Sequence, residues 1–304
     1  MKLIAPDYYL QFRCIADRCR HSCCVGWEID IDPETRQRYR QVPGPFGERL
    51  NAAIEDGEVS SFRLGQDERC PMLNANGLCD LITELGEENL CQICADHPRF
   101  RSFFTDRTEI GLGLCCEEAA RLILTREEPM RLICLEDDGM PDVLCEEEEA
   151  LLAIRDSLIC AMQDQSRSLG ERLDRVLTLG GLSISDRDWA EVYRGLERLD
   201  LQWDDLLDRL DMTHSADLPF VLENALSQFA VYLLYRHLPG ALTDDDIPGR
   251  AAFCVLSTRA LAALCAAKAD CTMDDLIEFA RMYSAEIEYD EDNIAALLDA
   301  LWEE

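Results

Sequence analysis

Lysine is almost missing from this chain of 304 residues: only Lys2 and Lys268 are lysine, and the rest of the 29 basic residues are arginine. Cations are scarce altogether, since 61 acidic residues leave a formal net charge of −32. That imbalance speaks against nucleic acid as a partner, because binding DNA or RNA rests on neutralising phosphates. It also speaks against an anionic membrane surface. Long apolar runs are missing too. Phe229–Tyr235 has seven residues and Ala260–Ala267 eight, against the roughly 18 of a membrane span. The start, Met-Lys-Leu-Ile-Ala-Pro-Asp-Tyr-Tyr, has no apolar stretch of secretory-signal length, so a cytoplasmic, reducing setting is expected. There is no Gly-x-Gly-x-x-Gly: Gly111-x-Gly113 runs into a cysteine pair, and Gly180-Gly181 falls between helical stretches, so a Rossmann-type site is not expected. Aromatic residues are only 7%, but 48% hydrophobic residues are enough to bury a core.

The charge that is present divides the chain. Residues 1–124 carry 21 acids and 14 bases, net −7, whereas residues 125–304 carry 40 and 15, net −25. The first part is broken by turn formers such as Pro43-Gly44-Pro45 and Asn74-Ala75-Asn76-Gly77, and should hold short helices and few short strands, among them Trp27–Ile31. A bridge over 125–149 carries a strand-like Met130–Leu135 and then eight acids in fourteen residues, ending in four glutamates that suit a helix N-terminus. Beyond it, apolar spacings of three and four predict helices over Glu146–Gln163, Ser168–Leu177, Asp186–Leu199, Pro219–His237, Pro248–Lys268, Met273–Ile287 and Asp290–Trp302. Start signals are Ser185, Asp217, Thr272 with Asp275, and Asp290 with Asn293. The expected fold is mainly α: a Cys-rich metal domain over 1–124, the acidic bridge, and a helical bundle over 150–304.

Sixteen cysteines stand out against these scarcities. Ten fall in four groups: Cys14-x4-Cys19-x3-Cys23-Cys24; Cys70 and Cys79; Cys91-x2-Cys94; and Cys115-Cys116. Adjacent thiolates tolerate one another when a cation neutralises them, so this grouping points to metal. Only Cys91-x2-Cys94 has the spacing of a zinc knuckle, whereas iron–sulfur clusters accept looser thiolate sets; iron–sulfur is favoured, and structural zinc stays open. The triplet Cys-x3-Cys-x2-Cys is absent, because Cys19-x3-Cys23 continues into Cys24 and Gly26. His97 is left outside the ligand set. The other six, Cys134, Cys145, Cys160, Cys254, Cys265 and Cys271, stand singly in apolar stretches and read as small buried hydrophobes.

Phe12-Arg-Cys14 to Cys23-Cys24-Val-Gly-Trp27, Cys70-Pro-Met-Leu73, Gly77-Leu-Cys79, Cys94-x3-Pro98-Arg99 and Leu114-Cys-Cys-Glu-Glu-Ala-Ala-Arg-Leu122 resemble the flagellin lysine-N-methylases, the FliB type, within a broader set of Cys-rich zinc- or iron-chelating proteins. Leu222-Glu-Asn224, Arg259 and Phe279-Ala-Arg281 extend the resemblance into the helical part. It implies metal ligands at Cys14, Cys19, Cys23, Cys24, Cys70, Cys79, Cys94 and Cys116, with Cys91 and Cys115 as the spare positions. It also implies an iron–sulfur cluster of 4Fe-4S type, S-adenosylmethionine as methyl donor, and lysines of flagellin or a similar surface protein as acceptors. Glu117 stands where that family has proline.

A methyl-accepting lysine must lose its proton before it is a nucleophile. Glu117, Glu118 and Glu223 are candidate proton acceptors, with Tyr232 or Tyr235 lining a channel. Asn224, Arg259 and Arg281 are candidate cofactor contacts, and the two arginines are equally suited to carboxylate pairing. Two readings follow: an S-adenosylmethionine-dependent protein-lysine methyltransferase, or a non-catalytic iron- or zinc-handling protein. The near absence of lysine also fits an enzyme that offers no substrate on its own surface.

Overall fold

The computed structural model describes residues 1–139, 143–213 and 218–303. Asp217 and residues 140–142 of the acidic bridge lie outside them. The strands are β1 (Lys2–Pro6), β2 (Asp30–Ile31), β3 (Ile54–Glu55), β4 (Ser60–Phe62), β5 (Arg99–Phe103), β6 (Arg107–Leu112) and β7 (Leu132–Asp137). In the first half the helices are α1 (Pro33–Arg40), α2 (Gly44–Ala52), α3 (Asp80–Leu85), α4 (Gln92–Asp96), α5 (Glu117–Leu124), α6 (Glu146–Met162) and α7 (Leu169–Gly180). In the second half they are α8 (Trp189–Arg194), α9 (Leu201–Leu207), α10 (Phe220–His237), α11 (Ala241–Asp244), α12 (Ile247–Ala267), α13 (Met273–Tyr283) and α14 (Glu291–Trp302), with a π-helical turn, Ser284–Glu288, continuing α13. The chain is mainly α with few short strands, as expected.

Two compact units divide the chain at Phe12/Arg13 and Arg99/Phe100, whereas charge divides it near 124 and 149. The difference has a cause in strand pairing. β1 lies parallel to β6 (Lys2 opposite Arg107) and antiparallel to β7 (Lys2 opposite Asp137), giving the order β5-β6-β1-β7. The first twelve residues thereby join 100–304, and 13–99 interrupt that unit in sequence only.

The unit of residues 13–99 has a three-stranded sheet in the order β2-β4-β3 and a small core of Ile29, Ile31, Tyr39, Leu50, Ile54, Phe62, Met72, Leu73 and Leu81 with Cys70 and Cys91. The strand expected over Trp27–Ile31 keeps only Asp30–Ile31. α1 begins where Asp32 Oδ1 accepts from the Thr35 N–H at 2.9 Å, with Pro33 fixing the first helical φ.

In the larger unit, α12 packs against α7, α10, α13 and α14 and buries most of its residues. It has the length and hydropathy to cross a membrane, which the count of uninterrupted apolar residues did not show. Its Ser257 and Thr258 hydroxyls are absorbed by the carbonyls of Phe253 and Cys254, both at 2.7 Å. α13 starts with the capping box expected of Thr272 and Asp275, and α14 with Asp290 accepting from Asn293. The helix expected over 186–199 is only Trp189–Arg194, capped by Asp188 instead of Ser185.

Candidate metal centre and a buried polar network

Backbone pairing in the 13–99 unit draws three of the cysteine groups together. The Cys70 N–H donates to the Cys24 carbonyl at 2.8 Å, and Val25 bridges Arg69, so the first group lies along the second. Leu73 bridges Cys79 across a tight turn. There Asn74 Oδ1 accepts from the N–H groups of Asn76 and Leu78, and Gly77 takes a φ of +76° that side chains resist. The third group sits at the start of α4, held by the Gln92 N–H donating to Asp32 Oδ2 at 2.9 Å.

The thiols interact. Cys24 accepts from Cys23 and Ser22 and lies near Arg69, which together bring it from 9.0 to about 7 against the opposing effect of burial. Burial pushes Cys70 up to about 12, and the charges of Cys24, Cys79 and Cys91 push the same way. Cys79 is raised by burial and by Cys24. Cys94 donates to Cys91, which holds Cys91 below and Cys94 above the ordinary thiol value. Cys23, Cys24, Cys70, Cys79, Cys91 and Cys94 are therefore electrostatically linked. Cys91, read as spare from the sequence, is fully buried among them; the Cys-x2-Cys spacing was its signal.

Cys14 and Cys19 flank a 3₁₀ turn, Ala16–Arg18, where Cys14 Sγ accepts from the Ala16 N–H and the Cys19 thiol donates to the His21 carbonyl. His97 packs its ring on Trp27, and burial lowers it to about 4. As placed, no three His, Cys, Asp or Glu side chains among the described residues stand close enough to hold a metal ion. The ligand set implied by the resemblance is thus not a preassembled cage. The donor chemistry nevertheless fits a thiophilic metal: soft sulfurs that raise one another's pKa are what a central cation would relieve. Cys23, Cys24, Cys70, Cys79, Cys91 and Cys94 would hold it.

Cys116 belongs to the larger unit, at the N-cap of α5. Its neighbour Cys115 is hydrogen-bonded to the Tyr289 hydroxyl and raised by burial to about 11. The same loop is tied to a polar network that the sequence did not disclose. The Tyr232 hydroxyl donates to Glu288 Oε2 at 2.9 Å and receives the Leu114 N–H at 3.4 Å and Arg236 Nη1 at 2.7 Å. His237 Nε2 lies 2.6 Å from Glu288 Oε2, and the Arg236 guanidinium stacks between Phe100 and Tyr289 at 5.1 and 4.5 Å. Burial pushes the Glu288 carboxyl up, but Arg236 and His237 outweigh it and hold it below the usual carboxylate range. His237 is lowered by burial, so the neutral ring donates to an ionised Glu288. The carboxylate sits on the π-helical turn, an irregularity common at functional sites. Its signals in sequence were Arg236-His237 ending an apolar helix and Glu286 and Glu288 around Ile287.

Tyr232→Phe would leave the Leu114 N–H and one Arg236 donor without that acceptor. It should lower the unfolding free energy by about 1–3 kcal/mol in urea titrations. Tyr232 and Tyr235 are core residues, about 1% exposed.

The remaining candidates are mostly engaged in structure. Glu118 pairs with Arg121 at 2.6 Å. Asn224 Nδ2 donates to the Arg126 carbonyl at 2.6 Å. Arg259 pairs with Asp174 at 2.8 Å and Arg281 with Glu278 at 2.7 Å, so carboxylate pairing is what the structure shows for both. Glu223 is half-buried in the first turn of α10, and Glu117 is buried in the first turn of α5.

Sequence comparison supplies what geometry does not. The chain is 26% identical over 140 residues to a protein named Lysine-N-methylase from Salmonella typhimurium, a match covering 42% of this chain and 33% of that protein. The Salmonella choleraesuis protein of the same name matches to the same extent. Over that stretch the chain resembles lysine-N-methylases. A protein named Flagellar biosynthetic protein FliU, from Salmonella muenchen, is 24% identical over 137 residues, covering 42% of this chain and 79% of its own length. The aligned part spans about a third of the lysine-N-methylases, so resemblance is established for a segment of them. No family model matches the chain, and no solved structure matches it.

Of the six remaining cysteines, Cys134, Cys145 and Cys160 are exposed, not buried as expected, because each falls on a strand edge, a helix cap or an outward helix face. Replacing these three by serine should leave the metal-to-protein ratio unchanged, as read by metal analysis; a fall would place them in the centre.

Proposed function

We propose that the chain is a metal-dependent protein-lysine methylase. It takes the methyl group from S-adenosylmethionine and acts on flagellin or a similar lysine-bearing surface protein in the cytoplasm. The similarity to lysine-N-methylases carries this reading; the linked thiols of the 13–99 unit support its metal part. An iron–sulfur cluster held by thiolates drawn from Cys23, Cys24, Cys70, Cys79, Cys91 and Cys94, with Cys14 and Cys19 of the same unit as further candidates, would supply a Lewis-acidic cation for the amino and carboxylate groups of the methyl donor.

The chain's own residues have three tasks. A carboxylate must accept the ammonium proton, and the buried Glu117, one residue beyond Cys116, is a candidate. Glu118, paired with Arg121 at 2.6 Å, and Glu223 in the first turn of α10 are the other candidates for that role. The Tyr232–Glu288–Arg236 network fixes the Leu114 backbone beside Cys115 and so orients that loop. The acidic surface of the helical part, −25 over 125–304, attracts a lysine-bearing partner.

The decisive experiment is a visible absorption spectrum of anaerobically purified protein, followed by calorimetric titration with S-adenosylmethionine and mass analysis of flagellin incubated with both. Charge-transfer absorption, saturable binding and added methyl mass support the reading. A colourless, zinc-loaded protein that binds no S-adenosylmethionine overturns it. Attraction by surface charge is screened over about 8 Å at physiological salt, so methylation at low substrate should fall as salt rises. Neutralising Asp244, Asp245 and Asp246 should raise KM with little change in kcat; equal KM in the variant would remove that surface from substrate capture.

A further inference from the structure

Cys265 and Cys271 were read from the sequence as isolated residues, but the structure sets their thiols in contact. Cys265 is buried in the last turn of α12, and Cys271 is half-buried immediately before Thr272, the N-cap of α13. The chain between them is short and folded back, with Asp270 at a φ of +53°. The two sulfurs are hydrogen-bonded to one another, and Cys271 Sγ also lies 3.7 Å from the Thr272 carbonyl. Both are free thiols. None of the cysteine groups assigned to the metal centre is part of this contact.

We propose that Cys265 and Cys271 form a thiol–disulfide exchange site whose substrate is a low-molecular-weight disulfide. The half-buried sulfur is the one such a molecule can reach, so Cys271 acts first. Its thiolate attacks one sulfur of the disulfide RSSR, forming Cys271–S–S–R and releasing one RS⁻. Cys265 then loses its proton and attacks Cys271 Sγ, forming the Cys265–Cys271 bond and releasing the second RS⁻. The two protons go to the departing thiolates. In balance, two protein thiols are oxidised to a disulfide and RSSR is reduced to two RSH. The resolving step is intramolecular between sulfurs already in contact, which favours closure over a persisting mixed disulfide.

Burial holds both thiols above the ordinary value, so exchange should be faster in mildly alkaline solution. The hydrogen bond from Cys265 and, more weakly, the charge of Lys268 lower Cys271, but burial and the Asp275 carboxylate outweigh them. The consequence is a covalent tie between the end of α12 and the start of α13. α12 is a central helix of the larger unit and α13 leads into the π-helical turn that carries Glu288.

The sequence supplies a direct test. Lys268 lies between the two cysteines and is the one lysine in that region, so trypsin separates Ala260–Lys268 from Ala269–Arg281, each with a single cysteine. Purified full-length protein is incubated with oxidised glutathione at pH 8, alkylated without reduction, digested and analysed by mass. The expected result is loss of the two separate alkylated peptides and appearance of one linked species, two hydrogens lighter than the sum of the two unalkylated free-thiol peptides, which reverts on reduction. Cys271→Ser should abolish the linked species and leave Cys265 unmodified. Cys265→Ser should leave Cys271 carrying glutathione. If the wild type yields two independently alkylated peptides, or glutathione retained on Cys271 with Cys265 free, the proposal is overturned. Because the readout is a peptide mass, it stands or falls separately from the methylase reading.

Discussion

Arg155→Ala is expected to lower the unfolding free energy by about 3–5 kcal/mol, a large share of the roughly 5–15 kcal/mol that domains of this kind possess. Arg155 on α6 makes a bidentate pair with Glu109 on β6, Nη1 to Oε2 at 2.6 Å and Nη2 to Oε1 at 2.9 Å, and both side chains are about 1% exposed. Its guanidinium also lies 5.2 Å over the Tyr235 ring, and its Nε has no partner. The pair itself is not a large source of stability, since two ions had to leave water to form it. Removing one partner is costly because the other stays buried and charged. Chemical denaturation of Arg155→Ala, Glu109→Gln and the double variant Arg155→Met/Glu109→Leu separates the two effects. The single changes should be severe and the double change mild or neutral. Equal losses in all three would mean that packing, not charge, holds this junction. By contrast, the exposed Arg259–Asp174 pair should be worth less than about 1 kcal/mol.

The second large effect concerns the 13–99 unit. Its core is small and includes two cysteines, so a metal bound by its thiols should contribute much of its folding free energy. Cys70→Ser is expected to lose the metal and open residues 13–99 to protease, while the larger unit keeps its resistance. Cys24→Ser should do the same. Metal content per chain and the masses of fragments from limited proteolysis read this directly. If both variants keep their metal and their protection, the thiol group is ordinary packing. A loss of protection in both units together would show instead that the chain unfolds as one.

How much of this was legible in the sequence depended on the range of the interaction. Helices with local start chemistry, such as Thr272 with Asp275 and Asp290 with Asn293, were readable because cap and helix lie within four residues. α9 was missed: Leu201–Leu207 is only two turns long and carries Asp204 and Asp205 inside it, which blurs the apolar period. The pairing of β1 with β6 left no local trace, and it moved the unit boundary to Phe12. At the candidate centre, grouping pointed to the cysteines, but only packing could show that Cys91 is buried in the same small core as Cys70 and that Cys14 and Cys19 flank a 3₁₀ turn. Glu288, Tyr232 and Arg236 come from two distant segments, so their mutual neutralisation was invisible residue by residue. Arg259 and Arg281 were conspicuous in apolar stretches for the ordinary reason that each answers a nearby carboxylate.

The pairing of β1 has a consequence for the order in which the chain takes shape as it is made. Ile4 pairs with Glu109 and with Cys134, so β1 has no partner until more than a hundred residues after it have been made. At about 5–20 residues per second, it waits roughly 5 to 25 seconds for both neighbours to emerge. In that interval the whole of residues 13–99 leaves the ribosome, and its strands pair only with one another. The cysteine-bearing unit can therefore complete its internal pairing before the larger unit has a sheet, and a metal bound by its thiols, as proposed above, would be called for while the rest of the chain is still being made.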